Sequence, residues 1–188
     1  GFERTLAGIF PAGGAYDDAS FGGLGAGDGQ GGAGITPIVA NSWMHFMNAE
    51  VAVMTGGDPT AETLAGIRSH MNKVDDIAGA PAMDQAAIDT YIANFTTEWT
   101  AASTLDAKLE LWAEEFWITQ RGNGIDAYNS YRRNGYPKNL QPMVEPDPGP
   151  FPVSMWYPQN YAANNSNVTQ KSDLTARVFW NTNGPSVD

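Results

Sequence analysis

The chain has 188 residues, with 42% hydrophobic and 11% aromatic residues, enough for one folded domain with a sizeable core. Twenty-one acids against 10 bases give a net charge of −11, which repels phosphate backbones and gains nothing from anionic lipid headgroups, so nucleic acid is not an expected partner. With no cysteine, disulfides, zinc–thiolate sites and thiol nucleophiles are excluded, and no apolar run approaches the roughly 18 residues of a membrane span.

Residues 1–37 read as a Gly-rich loop region. Eight glycines lie between Gly22 and Gly34, and glycine loses too much backbone entropy to favour regular structure. The run contains G-x-G-x-x-G at Gly27, Gly29 and Gly32, and again at Gly29, Gly31 and Gly34. A dinucleotide site needs a strand before that motif and a helix directly after it. Tyr16–Ser20 has no strand pattern and Ile35-Thr36-Pro37 intervenes, so the motif is set aside. Tyr16, Asp17, Asp18, Phe21 and Asp28 accompany the glycines and mark the loop as a candidate ligand-facing segment.

A helical region is expected over 38–134. Val39, Trp43, Phe46, Met47, Val51 and Met54 recur at three- and four-residue steps, predicting a helix over Ile38–Thr55 with that stripe inward. Gly56-Gly57 ends it. Asp58-Pro59 opens a second helix over Pro59–Asp75, with Leu64, Ile67, Met71 and Val74 inward and Pro81 beyond it. The pair has the size of a tetratricopeptide hairpin. A third helix is predicted over Asp84–Ala102, burying Ile88, Tyr91, Ile92, Phe95 and Trp99. A fourth covers Leu105–Arg121, opened by a Ser103–Asp106 capping box. Leu105, Leu109, Trp112 and Phe116 form one stripe on it, and Leu111 and Ile118 a second, as expected of a helix packed on two sides.

A fifth helix is predicted over Ile125–Arg133, within Y-N-S-Y-R-R-N-G-Y-P at Tyr128–Pro137. Arg132 and Arg133 suit the negative end of the helix dipole. Asn134-Gly135 supplies a left-handed cap, and Pro137 prevents resumption. Arg121, Arg132, Arg133 and Lys138 fall close together, read as capping helices and pairing with acids. Residues 135–188 form an irregular tail, holding half of the chain's twelve prolines between Pro137 and Pro152. Its rings, Phe151, Trp156, Tyr157, Tyr161, Phe179 and Trp180, are expected to pack as an extended strap across the helices, with a helical turn near Pro158–Ala163 and another segment near Asp173–Phe179.

No motif here is catalytic. His45 and His70 sit on different predicted helices without H-x-x-x-H spacing, so no metal site is expected. Glu114 and Glu115 point about 100° apart on a helix and cannot flank one bond as a glycosidase pair would. There is no G-x-S-x-G. Glu50 reads either as a half-exposed acid or as an ion-pair partner of Arg132 or Arg133. The N-x-[ST] tripeptides at Asn94, Asn164 and Asn167 are taken as chance.

Several segments resemble, in order, the SusD/RagB family of nutrient-binding outer-membrane lipoproteins. Trp43–Glu50 is similar to the family's helix with an Ala-Glu pair, here Ala49-Glu50. Gly66, Ile67 and Ser69 resemble the Gly-Ile-x-x-Ser core of its partner helix, and Ile118-Thr119-Gln120 the Ile-x-x-Gln run. Ala127–Pro137 resembles Trp-x-x-Tyr-Arg-Arg-Thr-Gly-Tyr-Pro, with Tyr128 where Trp is usual and Asn134 where Thr is usual. Arg132, Arg133, Gly135, Tyr136 and Pro137 keep the pattern. Tyr157-Pro158 with Asn164 is similar to the Tyr-Pro…Asn segment, and Val178–Trp180 to the closing aromatic cluster. The likeness spans most of 38–181.

The resemblance implies an all-α fold of tetratricopeptide-like hairpins, with a long irregular C-terminal segment packed across them, and a chain that is the C-terminal portion of a longer protein. It implies glycan or peptide binding at the outer-membrane surface without catalysis or cofactor. It further implies delivery to a TonB-dependent transporter, partnership with the protein's own N-terminal half, and a lipid anchor on an N-terminal cysteine absent from this sequence. Two other readings stand beside it: a helical-repeat adaptor binding protein alone, and a polysaccharide-degrading enzyme.

Overall fold

A computed structural model describes residues 37–76, 82–141, 144, 147, 149–182 and 184. Among them the fold is all-α, without a strand: α1 (Asn41–Met54), α2 (Thr60–Asn72) running into a 3-10 turn (Lys73–Asp76), α3 (Gln85–Ala101), α4 (Leu105–Thr119), α5 (Gly124–Asn134) and the short α6 (Gln159–Asn164). The chain divides into two compact units, residues 1–124 and residues 125–188.

Side-chain chemistry opens α2, α3 and α4 near where the sequence predicts, whereas α1 starts at Asn41 behind Ala40 with no side-chain cap. The Asp58 carboxylate accepts from the Thr60 amide at 3.0 Å and the Thr60 hydroxyl at 2.6 Å, satisfying a free donor at the start of α2. Asp84 does the same for α3, accepting from the Ala86 amide at 2.9 Å. The α4 cap lies one residue beyond the predicted Ser103: Thr104 has extended backbone angles, and its hydroxyl accepts from the Ala107 amide at 3.2 Å. The α4 stop also falls earlier than predicted, at Thr119, with Gly122 in the left-handed region at φ 87°.

In the first unit α2 packs against α1, α3 and α4, and α1 also meets α4. The α1–α2 crossing is close because Gly66 faces the fully buried Phe46: a Cβ at Gly66 would lie 2.6 Å from Phe46 Cε2. Phe46 in turn stacks on Phe116 of α4 at 5.3 Å between centroids, and Phe116 meets Trp112 at 5.4 Å. Tryptophan indoles tie the helices together. Trp43 donates to the Thr119 carbonyl at 2.8 Å, Trp112 to the Phe46 carbonyl at 3.2 Å, and Trp99 to the Thr60 hydroxyl at 2.9 Å. Each brings a large apolar body into the core while its one polar atom keeps a partner.

The buried face of α1 differs from the predicted stripe. Ser42, Trp43, Phe46 and Ala49 are buried, whereas Val39, Met47, Val51 and Met54 are exposed. Close approach selects small residues beside the two rings, so the longer side chains fall on the outer arc. Leu105, Ile118 and Tyr91 are likewise exposed rather than inward. Ile88, Phe95 and Trp99 of α3 are buried as the periodicity requires.

In the second unit α5 ends as the sequence predicts. The Gly135 amide donates to the Tyr131 carbonyl at 2.8 Å with Gly135 at φ 76°, and the Tyr136 amide donates to the Asn134 side chain at 2.9 Å. The Tyr136–Pro137 peptide is cis. Residues 151–153 then pack on α5. The Tyr128 hydroxyl donates to the Pro152 carbonyl at 2.5 Å, Phe151 meets Tyr131 edge-on at 5.1 Å, and Arg132 donates to the Val153 carbonyl at 2.7 Å. The Leu174 carbonyl accepts from the amides of both Val153 and Ser154, at 3.0 and 3.1 Å. The helical turn expected near Pro158–Ala163 is α6. Near Asp173–Phe179 there is a turn instead of a helix, held by the Asp173 carboxylate accepting from the Thr175 amide at 2.9 Å.

Candidate functional site

The loop candidates Tyr16, Asp17, Asp18, Phe21 and Asp28 lie outside the described residues. Among the described ones, the motif residues of the second unit converge on Arg132. Its side chain is 8% exposed. The guanidinium carbon sits 4.5 Å from the Tyr128 ring centroid and 4.7 Å from that of Trp180, so it is held between two rings. One terminal nitrogen serves the Val153 carbonyl, and the other donates to the Asn129 side chain at 2.7 Å. Its Nε is buried without a hydrogen-bond partner among the described residues. Cation–π attraction strengthens when the cation is desolvated, which fits Arg132 as the clasp of this unit. Arg133, one position on, is exposed.

The strap beyond Val153 departs from the expectation that its rings pack inward. Val153 and Ser154 are buried, but Trp156, Tyr157 and Tyr161 are 49%, 39% and 50% exposed, and Phe179 is 94% exposed. Strap rigidity there comes from polar bonds. Gln170 brackets the Tyr157 peptide: its amide oxygen accepts from the Tyr157 N–H at 3.1 Å and its amide nitrogen donates to the Tyr157 carbonyl at 3.0 Å. Pro158 caps α6, its carbonyl accepting from the Tyr161 and Ala162 amides at 2.9 and 3.1 Å. That turn sets Tyr161 against Tyr157 at 6.1 Å and 69°, while the Lys171 ammonium lies 5.2 Å from the Tyr157 centroid. Gln170 carried no signal in the sequence, because its role depends on a partner 13 positions away.

In the first unit the Tyr91 hydroxyl donates to the buried Glu115 carboxylate at 2.5 Å. Burial pushes the Glu115 carboxyl up, Glu114 and Glu98 add to this, and the Tyr91 bond only partly opposes it. Burial, then the same bond, pushes the Tyr91 phenol well up. Glu115 is thus a packed helix acid. His45 Nδ1 lies 2.7 Å from Glu62 Oε2, an α1–α2 tie, and burial lowers the pKa of His70. No group of three or more possible metal ligands occurs among the described residues. Glu50 is half-buried on α1. An open groove of about 650 Å³ beside the start of α1 is lined by Ser42, Ser69, Lys73 and Asp76 among others. Its polar groups largely serve each other: Lys73 pairs with Asp76 at 3.1 Å and Asn41 donates to Ser69 at 3.0 Å.

No protein-family model matches this chain, and no curated protein shows significant similarity to it. No helix among the described residues is long and apolar enough to cross a membrane.

Proposed function

We propose that this chain is part of a non-catalytic nutrient receptor of the SusD/RagB kind, holding a glycan or oligosaccharide, with peptide as the alternative ligand, at the bacterial outer-membrane surface. In this reading its α1–α2 hairpin is a tetratricopeptide-like unit, it completes an N-terminal half of the same protein, and it passes ligand to a TonB-dependent transporter. The observation that carries the reading is the joining of two motif segments. Arg132 of the Tyr128–Pro137 segment lies 4.7 Å from the Trp180 ring centroid of the Val178–Trp180 segment, and Tyr128 and Arg132 bond the Pro152 and Val153 carbonyls ahead of Trp156-Tyr157-Pro158. Contact between two of the segments that resemble one family supports this reading.

Calorimetry of the full-length protein with soluble polysaccharides and peptides tests it. Saturable binding of either class without release of reducing ends is the expected result. Reducing-end release from any glycan would replace it with the hydrolase reading.

One observation favours a second reading, a helical adaptor for protein partners. Met44, Met47, Val51 and Met54 of α1 are exposed and spaced three, four and three apart. Flexible methionines suit a protein-docking face. A stable protein partner captured by a preparation that binds neither sugar nor peptide is the result that selects this reading.

A further inference from the structure

The Tyr157–Tyr161 pair has features that a packed strap does not need. Both rings are substantially exposed, they meet at 69° with centroids 6.1 Å apart, and the peptide of one is fixed on both sides by the Gln170 amide. A ring on a backbone that is already fixed loses less conformational freedom when something stacks on it. Trp156, also half exposed, precedes them directly in the chain.

The surrounding chemistry selects the ligand. In a chain with 21 acids and a net charge of −11, no carboxylate side chain occurs between Asp147 and Asp173. That stretch carries exposed amides instead, at Gln159, Asn160, Asn164 and Asn167. Amides both donate and accept, which suits hydroxyl groups that do the same. The apolar face of a pyranose ring suits an aromatic plane. Its one cation, Lys171, already lies near the Tyr157 ring. A cationic ligand would find no carboxylate on this stretch and a polyanion would meet a strongly acidic protein, so an uncharged polyhydroxylated ligand fits best.

We infer that Tyr157 and Tyr161, steadied by Gln170, form a stacking platform for a neutral oligosaccharide. The inference rests on the glycan-binding reading above and moves the contact from residues 16–28 to the strap and α6.

Affinity electrophoresis of the full chain tests it, using gels that carry an α-glucan, a β-glucan, a mannan or a xylan, with polygalacturonate as the charged comparison. At least one neutral polysaccharide should retard the wild type. Tyr157→Ala and Tyr161→Ala should each weaken that retardation about tenfold, the order expected for losing one stacked ring, while Tyr161→Phe keeps most of it. Tetranitromethane nitration of the wild type, mapped by mass spectrometry, supplies a readout that needs no variant to fold: saturating polysaccharide should protect both tyrosines. Retardation that is equal in wild type and variants, with both tyrosines unprotected, overturns the platform and leaves the receptor reading standing. Retardation by polygalacturonate alone overturns the neutral-ligand assignment. Peptide binding by calorimetry with no retardation in any gel overturns the platform but not the receptor. Binding of neither sugar nor peptide overturns both.

Discussion

Arg132 and Val153 stand 21 positions apart and are joined by a guanidinium-to-carbonyl hydrogen bond of 2.7 Å, with the cation between Tyr128 and Trp180. The bond attaches an otherwise irregular strap to a helix. The strap backbone is then bonded from its other side, at the Leu174 carbonyl.

Arg132→Lys should therefore loosen the second unit. Lysine keeps the charge but cannot serve Val153 and Asn129 at once in a fixed plane. Losing one hydrogen bond from a buried charged donor costs about 1.5–3 kcal/mol. Hydrogen exchange should show the Val153 and Ser154 amides exchanging faster in the variant, while amides of α1 and α4 are unchanged. Uniform protection in the two proteins would refute the clasp.

Gly66→Ala should destabilise the first unit although alanine is the better helix former. The added carbon would sit 2.6 Å from Phe46, which cannot retreat because it is fully buried and stacked on Phe116. Overpacking costs about 1–3 kcal/mol, against a helix-propensity gain of up to about 1 kcal/mol. Gly124→Ala, with open space around the new carbon, is the control. Urea unfolding should rank Gly66→Ala below wild type and Gly124→Ala at or above it.

Thr60→Val should cost about 1–3 kcal/mol, because it leaves the Trp99 indole N–H without its acceptor. It also removes the hydroxyl that donates to Asp58 at the start of α2. Thermal unfolding checks this, with Thr97→Val as the comparison, since the exposed Thr97 hydroxyl bonds only its own helix at Ala93.

Glu115 should make stability fall as pH rises. Burial holds its folded-state pKa above the usual carboxylate value, so the native chain binds the proton more tightly than the unfolded chain. By linkage, stability then declines from the unfolded pKa upward until the folded pKa is passed, and the loss is complete above it. Glu115→Gln keeps an oxygen that can accept from Tyr91 and removes the titration. The stability of the variant relative to wild type should rise as pH climbs out of the ordinary carboxylate range and level off once the raised pKa of Glu115 is passed. Urea midpoints across that range measure it, and a flat difference would contradict the assignment.

Much of the helical framework was legible in the residues. Asp58 and Asp84 as start signals, and Asn134 and Gly135 as a stop, act through bonds to residues two to four positions away. Such signals need no knowledge of the rest of the chain. The one-residue slip from Ser103 to Thr104 shows the limit, since either hydroxyl can cap and the backbone angle chooses. The candidate platform was not legible. Trp156, Tyr157 and Tyr161 look like packing residues in sequence, and only the structure shows them exposed, with Gln170 bonding the Tyr157 backbone.

By itself the sequence determined that this chain is helical, where most of its helices begin and end, and that a Pro- and aromatic-rich segment follows them. Periodicity already marked Ile88, Phe95 and Trp99 of α3 as buried, but tertiary structure alone decided the full extent of the buried face on α1. On α1 it selected Ser42 and Ala49 over Met47, Val51 and Met54, because the depth available at a helix crossing is set by Gly66 and Phe116 on other helices. Caps depend on neighbours along the chain, whereas burial depends on neighbours in space.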